Sequence, residues 1–206
     1  MAQKHEASPV RRQQIINAAR KLIITKGSEH VTIKGLANEV GISEAAIYRH
    51  FNEKRDVLLL LIGEIGEALL ADIKTTRGKD ISVTQKIERT LRKHISSVEQ
   101  RRGVTFQVIA EIISLGDRSL NARVADIVDR YIARLKLLYE EGISNGEMRR
   151  DLNPEATAIL TFGLTQGMVS LWALNNYEFD LKKRFDVVFT NFQQTIAADG
   201  AKELEN

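Results

Sequence analysis

The stretch TIKGLANEVGISEAAIYRHFNEK, from Thr32 to Lys54, reads as two short helices joined by a tight turn. Thr32 suits an N-cap, because its hydroxyl can accept a bond from an amide one turn further on. Ile33, Leu36, Ala37 and Val40 recur at helical spacing and predict one buried face. Gly41 supplies the left-handed residue that ends this helix without a Cβ clash. Ser43 caps a second helix expected to run through Phe51. Two helices separated by a short Gly-containing turn make a helix-turn-helix.

The second helix divides its faces by chemistry. Ile47 and Phe51 are one turn apart and predict the inward side. Ala45, Tyr48 and Arg49 fall opposite, flanked by Ala46 and His50, and small residues there allow close approach to another surface. Arg49 suits bidentate bonds to a guanine edge. Tyr48 and His50 suit phosphate oxygens, which position a helix without reading sequence. Lys54, at the start of the next helix, adds a cation to free amides and is expected to hold a phosphate. Thr32, Lys34, Ser43 and Glu44 complete the set expected to face DNA.

The segment GISEAAIYRHFNEKRDVLLLLI resembles the DNA-binding signature of the TetR family of bacterial repressors. Gly41, Ile42, Ser43, Ile47, Tyr48, His50, Phe51, Lys54 and Leu58 carry the resemblance. Ala45 stands where that family often has Gly or Pro. The resemblance implies an all-α fold, with an N-terminal three-helix head and a C-terminal helical bundle, about nine helices in all. It also implies a homodimer, a roughly palindromic double-stranded operator and a repressor released by a small molecule.

Charge distribution agrees with a basic reading head. Residues 1–56 hold 10 Lys and Arg against 6 Asp and Glu, whereas the other 150 hold 20 against 21. The excess positive charge therefore sits with the motif, as a phosphate-facing end requires. Lys4, His5, Arg11 and Arg12 precede or open the first helix and predict a short basic arm that reaches phosphates or a minor groove. With no cysteine, disulfides and thiolate chemistry are excluded. The start lacks an apolar leader-like segment, and the run Val57 to Ile62 is far short of the roughly 20 residues that span a bilayer. A cytoplasmic, nucleoid-associated protein with no membrane partner is expected.

The remaining pattern is helix after helix. Ile15, Ile16, Ala19, Leu22 and Ile23 mark a first helix, and Leu58, Leu61, Ile62, Ile65 and Leu69 a long one after the motif. Asn153-Pro154 restarts a helix by cap and N1 chemistry. That helix is apolar over much of its circumference, which predicts burial on more than one side. Gly163, Gly167 and Leu171, with Phe185, Val188, Phe189 and Phe192 on the last helix, are the expected interface between two copies. The expected divisions are residues 9–56 for the head, 57–199 for dimerisation and effector binding, and 200–206 for a tail.

No catalytic or metal-binding constellation emerges: the four histidines show no ligand spacing. Neither an enzyme nor a resident cofactor is expected. Pockets between bundle helices are apolar with a few polar groups, and Phe106, Ile109, Ile113, Tyr131, Leu135, Met168 and Trp172 are the candidates to line one. The stretch from Leu137 to Leu181 is similar to the C-terminal half of TetR-family regulators of fatty-acid degradation. That similarity implies a long-chain acyl-CoA effector, with Arg101, Arg102 or the Lys182-Lys183-Arg184 run available for its phosphates. The competing expectation is an architectural DNA-binding protein that works on the same scaffold without a ligand.

Overall fold

Helix starts follow the capping chemistry of the sequence. In the computed structural model, Thr32 Oγ1 accepts from the Gly35 amide at 2.9 Å and Ser43 Oγ from that of Ala46 at 3.2 Å. Asn153 and Asp180 cap later helices in the same way, at 3.0 and 2.8 Å, while Ser82 and Gln85 close a reciprocal capping box. The structure describes residues 8–75 and 81–198. Lys4 and His5 of the expected arm, the expected loop residues 77–80 and the tail 200–206 lie outside them.

Among the described residues the chain forms α1 (Ser8–Lys26), a 3-10 turn (Ser28–His30), α2 (Ile33–Val40), α3 (Glu44–Tyr48) and α4 (Lys54–Thr75). There follow α5 (Val83–Gln100), α6 (Val104–Leu115), α7 (Arg118–Ser144), α8 (Pro154–Leu174) and α9 (Leu181–Ile196). The fold is all-α. A lone backbone bridge between Met148 and Ala197 ties the end of α9 to the loop after α7. The second motif helix stops at Tyr48, short of the expected Phe51. The amides of His50 and Phe51 nevertheless still bond the Ile47 carbonyl, at 2.8 and 3.0 Å.

Packing divides the chain into two units that do not follow chain order. The first takes the described residues up to Ile65 together with Val104–Val124, and the second takes Gly66–Gly103 and the residues from Ala125 onward. In the first unit, Ile15, Ala19 and Leu22 of α1 share a core with Leu36, Ile47, Phe51, Leu58 and Val108, all essentially buried. Charged groups stitch α6 to the head. Lys54 Nζ reaches Glu111 Oε1 at 2.7 Å and the Ser28 carbonyl at 3.0 Å, and Ser28 Oγ donates to Glu111 Oε2 at 2.7 Å. Arg55 binds Asp117 at 2.7 Å and also bonds Ser119. Asp117 in turn caps α7 by accepting from the amides of Ser119 and Leu120.

The second unit packs α5 against α8 and α9. Val83, Ile87, Leu91, Ile95 and Val98 of α5 are buried, as their spacing predicts. On the second half of α4 the inward residues are Leu70 and Ile73, with Leu69 only half-buried, one position away from the expected stripe. The Trp172 indole donates to the Phe179 carbonyl at 2.9 Å and meets Tyr177 edge-on at 4.9 Å. Gly103 is held at φ +70 where a Cβ would come within 2.7 Å of the Tyr177 ring, so only glycine fits that corner.

Candidate nucleic-acid interface and effector core

The outer side of α3 is not absorbed by the protein's own interior. Ile47 and Phe51 are buried at 0% and 1%, while Tyr48 is 53% exposed. Ser43, Glu44, Ala45 and Arg49 are exposed beside it, with Ala46 and His50 half-buried. On α2 and its cap, Thr32 and Lys34 are exposed. Gly41 at φ +74 makes the corner between the two helices.

The start of α1 joins this face. The Arg12 guanidinium lies 5.5 Å over the Phe51 ring. Burial lowers the His50 pKa, and the charges of Arg12, Arg11 and Arg49 lower it further. His50 is thus neutral at pH 7 within a field of three arginines drawn from two helices. The sequence pattern marks Arg11 and Arg12 as basic, but their convergence with the motif helix exists only in the fold. Such a field attracts a polyanion.

Lys54 is placed differently from the other motif cations. Its ammonium is shared between Glu111 and the Ser28 carbonyl, and its side chain is 24% exposed. It acts as a brace from α4 to α6.

The expected effector residues divide between the two units. Phe106, Ile109 and Ile113 lie on α6 in the first, where Ile113 is 65% exposed and the other two are half-buried. Tyr131, Leu135, Met168 and Trp172 belong to the second and are buried together with half-buried His94 and Phe162. Tyr131 meets His94 at 6.3 Å and Phe162 at 6.2 Å, ring to ring. His94 carries chemistry that its spacing on a single helix does not reveal. Tyr139 Oη and Thr161 Oγ1 lie 2.6 Å apart, and Thr161 Oγ1 donates its one proton to the Thr157 carbonyl at 2.7 Å. Tyr139 is therefore the donor in that pair.

Two basic runs share one end of this unit. Lys182 binds Glu99 at 3.2 Å, and the Tyr177 ring abuts Gly103, so the start of α9 lies beside the end of α5. Arg101, Arg102, Lys182 and Lys183 are exposed there. Arg184 stacks over Phe179 at 3.9 Å.

One exposed apolar stripe runs along α8. Leu160, Leu171 and Leu174 are 64%, 50% and 80% exposed, and the ideal Cβ positions of Gly163 and Gly167 meet nothing within 4 Å. By length and composition α8 is the one helix among the described residues apolar enough to cross a membrane, though Met168, Val169 and Trp172 on its other side are buried in the unit. On α9, Val188 and Phe192 are half-buried and Val187 is 63% exposed. Phe185 and Phe189 correct the expectation for a two-copy interface. They stack at 5.5 Å inside the protomer at 0% and 1% exposure, because the inward side of α9 is needed to close its own core.

Residues 15–61 match the family described as bacterial regulatory proteins of the tetR family. Residues 64–194 match that described as the C-terminal region of YsiA-like proteins. Over 172 residues the chain is 25% identical to the fatty acid metabolism regulator protein of Bacillus subtilis strain 168, covering 82% of this chain and 86% of that protein. Over 189 residues it is 28% identical to the nucleoid occlusion factor SlmA of Enterobacter sp. strain 638, covering 90% and 94%. Among solved structures, the fatty acid degradation regulator FadR from Bacillus halodurans superposes with a TM-score of 0.77 at 21% identity, over 93% of this chain and 97% of that one. FadR from Bacillus subtilis in complex with stearoyl-CoA superposes with a TM-score of 0.71 at 24% identity, over 89% and 98%.

Proposed function

The chain belongs to the TetR family of bacterial regulatory proteins, and from that premise we propose that it is a homodimeric repressor which an acyl-CoA-like effector releases from its operator. It is a DNA-binding regulator and not an enzyme. The observation that carries the reading is the exposed face of α3 beside Arg11 and Arg12. The contact set is Thr32, Lys34, Ser43, Glu44, Ala45, Ala46, Tyr48, Arg49 and His50, with Lys54 supporting it from behind. Arg49 reads base edges, Tyr48 and His50 position the helix on phosphates, and the small Ala45 and Ala46 let it approach closely.

The α8 stripe supports a second copy of the chain as its occupant. Leu160, Gly163, Gly167, Leu171 and Leu174 recur every three or four residues and so lie along one side. Two copies present two heads to half-sites spaced by about 34–36 Å or a multiple.

The acyl-CoA class is supported by an apolar core beside a basic end. Arg101, Arg102, Lys182 and Lys183 suit phosphates, while Met168, Leu135 and Trp172 suit an aliphatic chain. An effector releases DNA only through higher affinity for the state that does not bind it. Selection of bound sequences from random DNA, followed by gel shift with and without stearoyl-CoA, tests the proposal. An enriched palindrome released by stearoyl-CoA supports it. Tight binding that no acyl-CoA disturbs favours the ligand-independent architectural reading, which the likeness to nucleoid occlusion factors keeps in view.

A further inference from the structure

Among the described residues, one deeply buried side-chain polar atom has no hydrogen-bond partner. Tyr131 is 2% exposed, and among the described residues nothing hydrogen-bonds its hydroxyl. Tyr139, two turns along the same helix, is buried to the same degree and is bonded to Thr161. An unpaired buried hydroxyl is unfavourable, and folded proteins retain few of them. His94 stands beside it. Burial pulls its pKa down to about 4, yet the residue keeps part of its accessible surface.

We propose that Tyr131 and His94 are the polar anchor of the effector site, with Tyr131 Oη donating to an uncharged carbonyl oxygen on an otherwise apolar ligand. The Phe162 ring stands beside Tyr131, 6.2 Å away and tilted by 61°. Desolvation keeps Tyr131 protonated by raising its pKa and keeps His94 neutral. A carboxylate or phosphate placed there would meet the same desolvation cost. A thioester, ester or ketone oxygen does not. This inference rests on the effector reading above and narrows it: the carbonyl is recognised inside the core, apart from any phosphates at the basic end.

The test uses Tyr131→Phe in the full chain. The melting temperature of the free protein is measured first, and then the affinities for stearoyl-CoA, for its thioether analogue octadecyl-CoA and for a medium-chain methyl ketone. The free variant should melt at or above the wild type, since it loses an unpaired hydroxyl. Wild type should bind stearoyl-CoA about tenfold more tightly than the thioether, and the variant should bind both alike. A free variant that melts well below wild type overturns the anchor, because its hydroxyl was already satisfied. Carbonyl-independent binding of both CoA compounds overturns the anchor and leaves the acyl-CoA reading standing. Ketone binding that depends on Tyr131, with neither CoA compound bound, upholds the anchor and ends the acyl-CoA reading. Binding of no probe overturns both.

Discussion

Replacing Lys54 with Met, Glu111 with Gln, and both together asks whether this motif lysine braces the head or touches DNA. Its ammonium lies 2.7 Å from Glu111 Oε1 and 3.0 Å from the Ser28 carbonyl, and the two side chains are only 24% and 17% exposed. An exposed ion pair contributes at most about 1 kcal/mol, and breaking a buried one costs about 3–5 kcal/mol. This pair is intermediate, so each single substitution should cost about 2 kcal/mol in urea unfolding. The double variant should cost less than the two singles combined, by about 1–2 kcal/mol, because the second change removes a charge already stranded. Acid gives a second reading. Burial alone would raise the Glu111 pKa, but the hydrogen bonds from Lys54 and Ser28, with the Lys54 charge, outweigh it and hold it below its ordinary 4.5. A depressed native pKa adds stability above 4.5 that is lost as pH falls through the native value. Lys54→Met should flatten that acid limb. The salt dependence of DNA binding should keep its slope, whereas a phosphate contact predicts a slope lower by about one. Additive, near-neutral substitutions together with a reduced salt slope would refute the brace.

Arg49→Ala should relax base preference at one position in each half-site, by about 1–3 kcal/mol of discrimination, checked by selection from random DNA; an unaltered consensus would remove Arg49 from base readout. His94 is neutral in the native state, through burial and then Arg101, against an opposing influence from Asp72. The unfolded chain takes up that proton near 6.5 and the native chain only near 4, so stability should fall by up to about 3 kcal/mol between those pH values. His94→Gln should abolish that slope in urea titrations across the range, and an unchanged slope would show that His94 is not its source. Leu171→Arg places a charge in the exposed α8 stripe. It should give monomers in sedimentation with an unaltered helical spectrum and weaken operator binding more than tenfold, and a mutant still dimeric would move the interface elsewhere.

The local features of the fold were legible because their causes are local. A hydroxyl at 32 or 43, a glycine at 41 and an Asn-Pro pair at 153–154 act within one helical turn, and each produces the cap or corner that its chemistry predicts. The inward residues of α5 were equally legible, since one helix packed along its whole length keeps one face inward. The stripe on α4 shifts by one residue, from Leu69 to Leu70, in a helix whose two halves serve different packing units. A spacing rule assumes one partner surface, and α4 has more than one.

Periodicity also says which residues leave water without saying what they meet. Phe185 and Phe189 share the repeat of Val188 and Phe192, yet the first two complete the protomer's own core while the last two remain partly open. Lys54 stands at a motif position, yet its ammonium is committed to a carboxylate 57 residues further on. His94 reads as one more polar residue on an amphipathic helix until α7 brings Tyr131 against it. In each case the deciding partner comes from another helix, and helical spacing carries no information about that partner. The head was readable because its outer face stays largely exposed among the described residues, as a surface that serves an external partner does. The proposed effector core was not, because there a lining residue and a packing residue obey the same rule of burial. What separates them is an unmet polar atom, and that is visible only once every neighbour is in place.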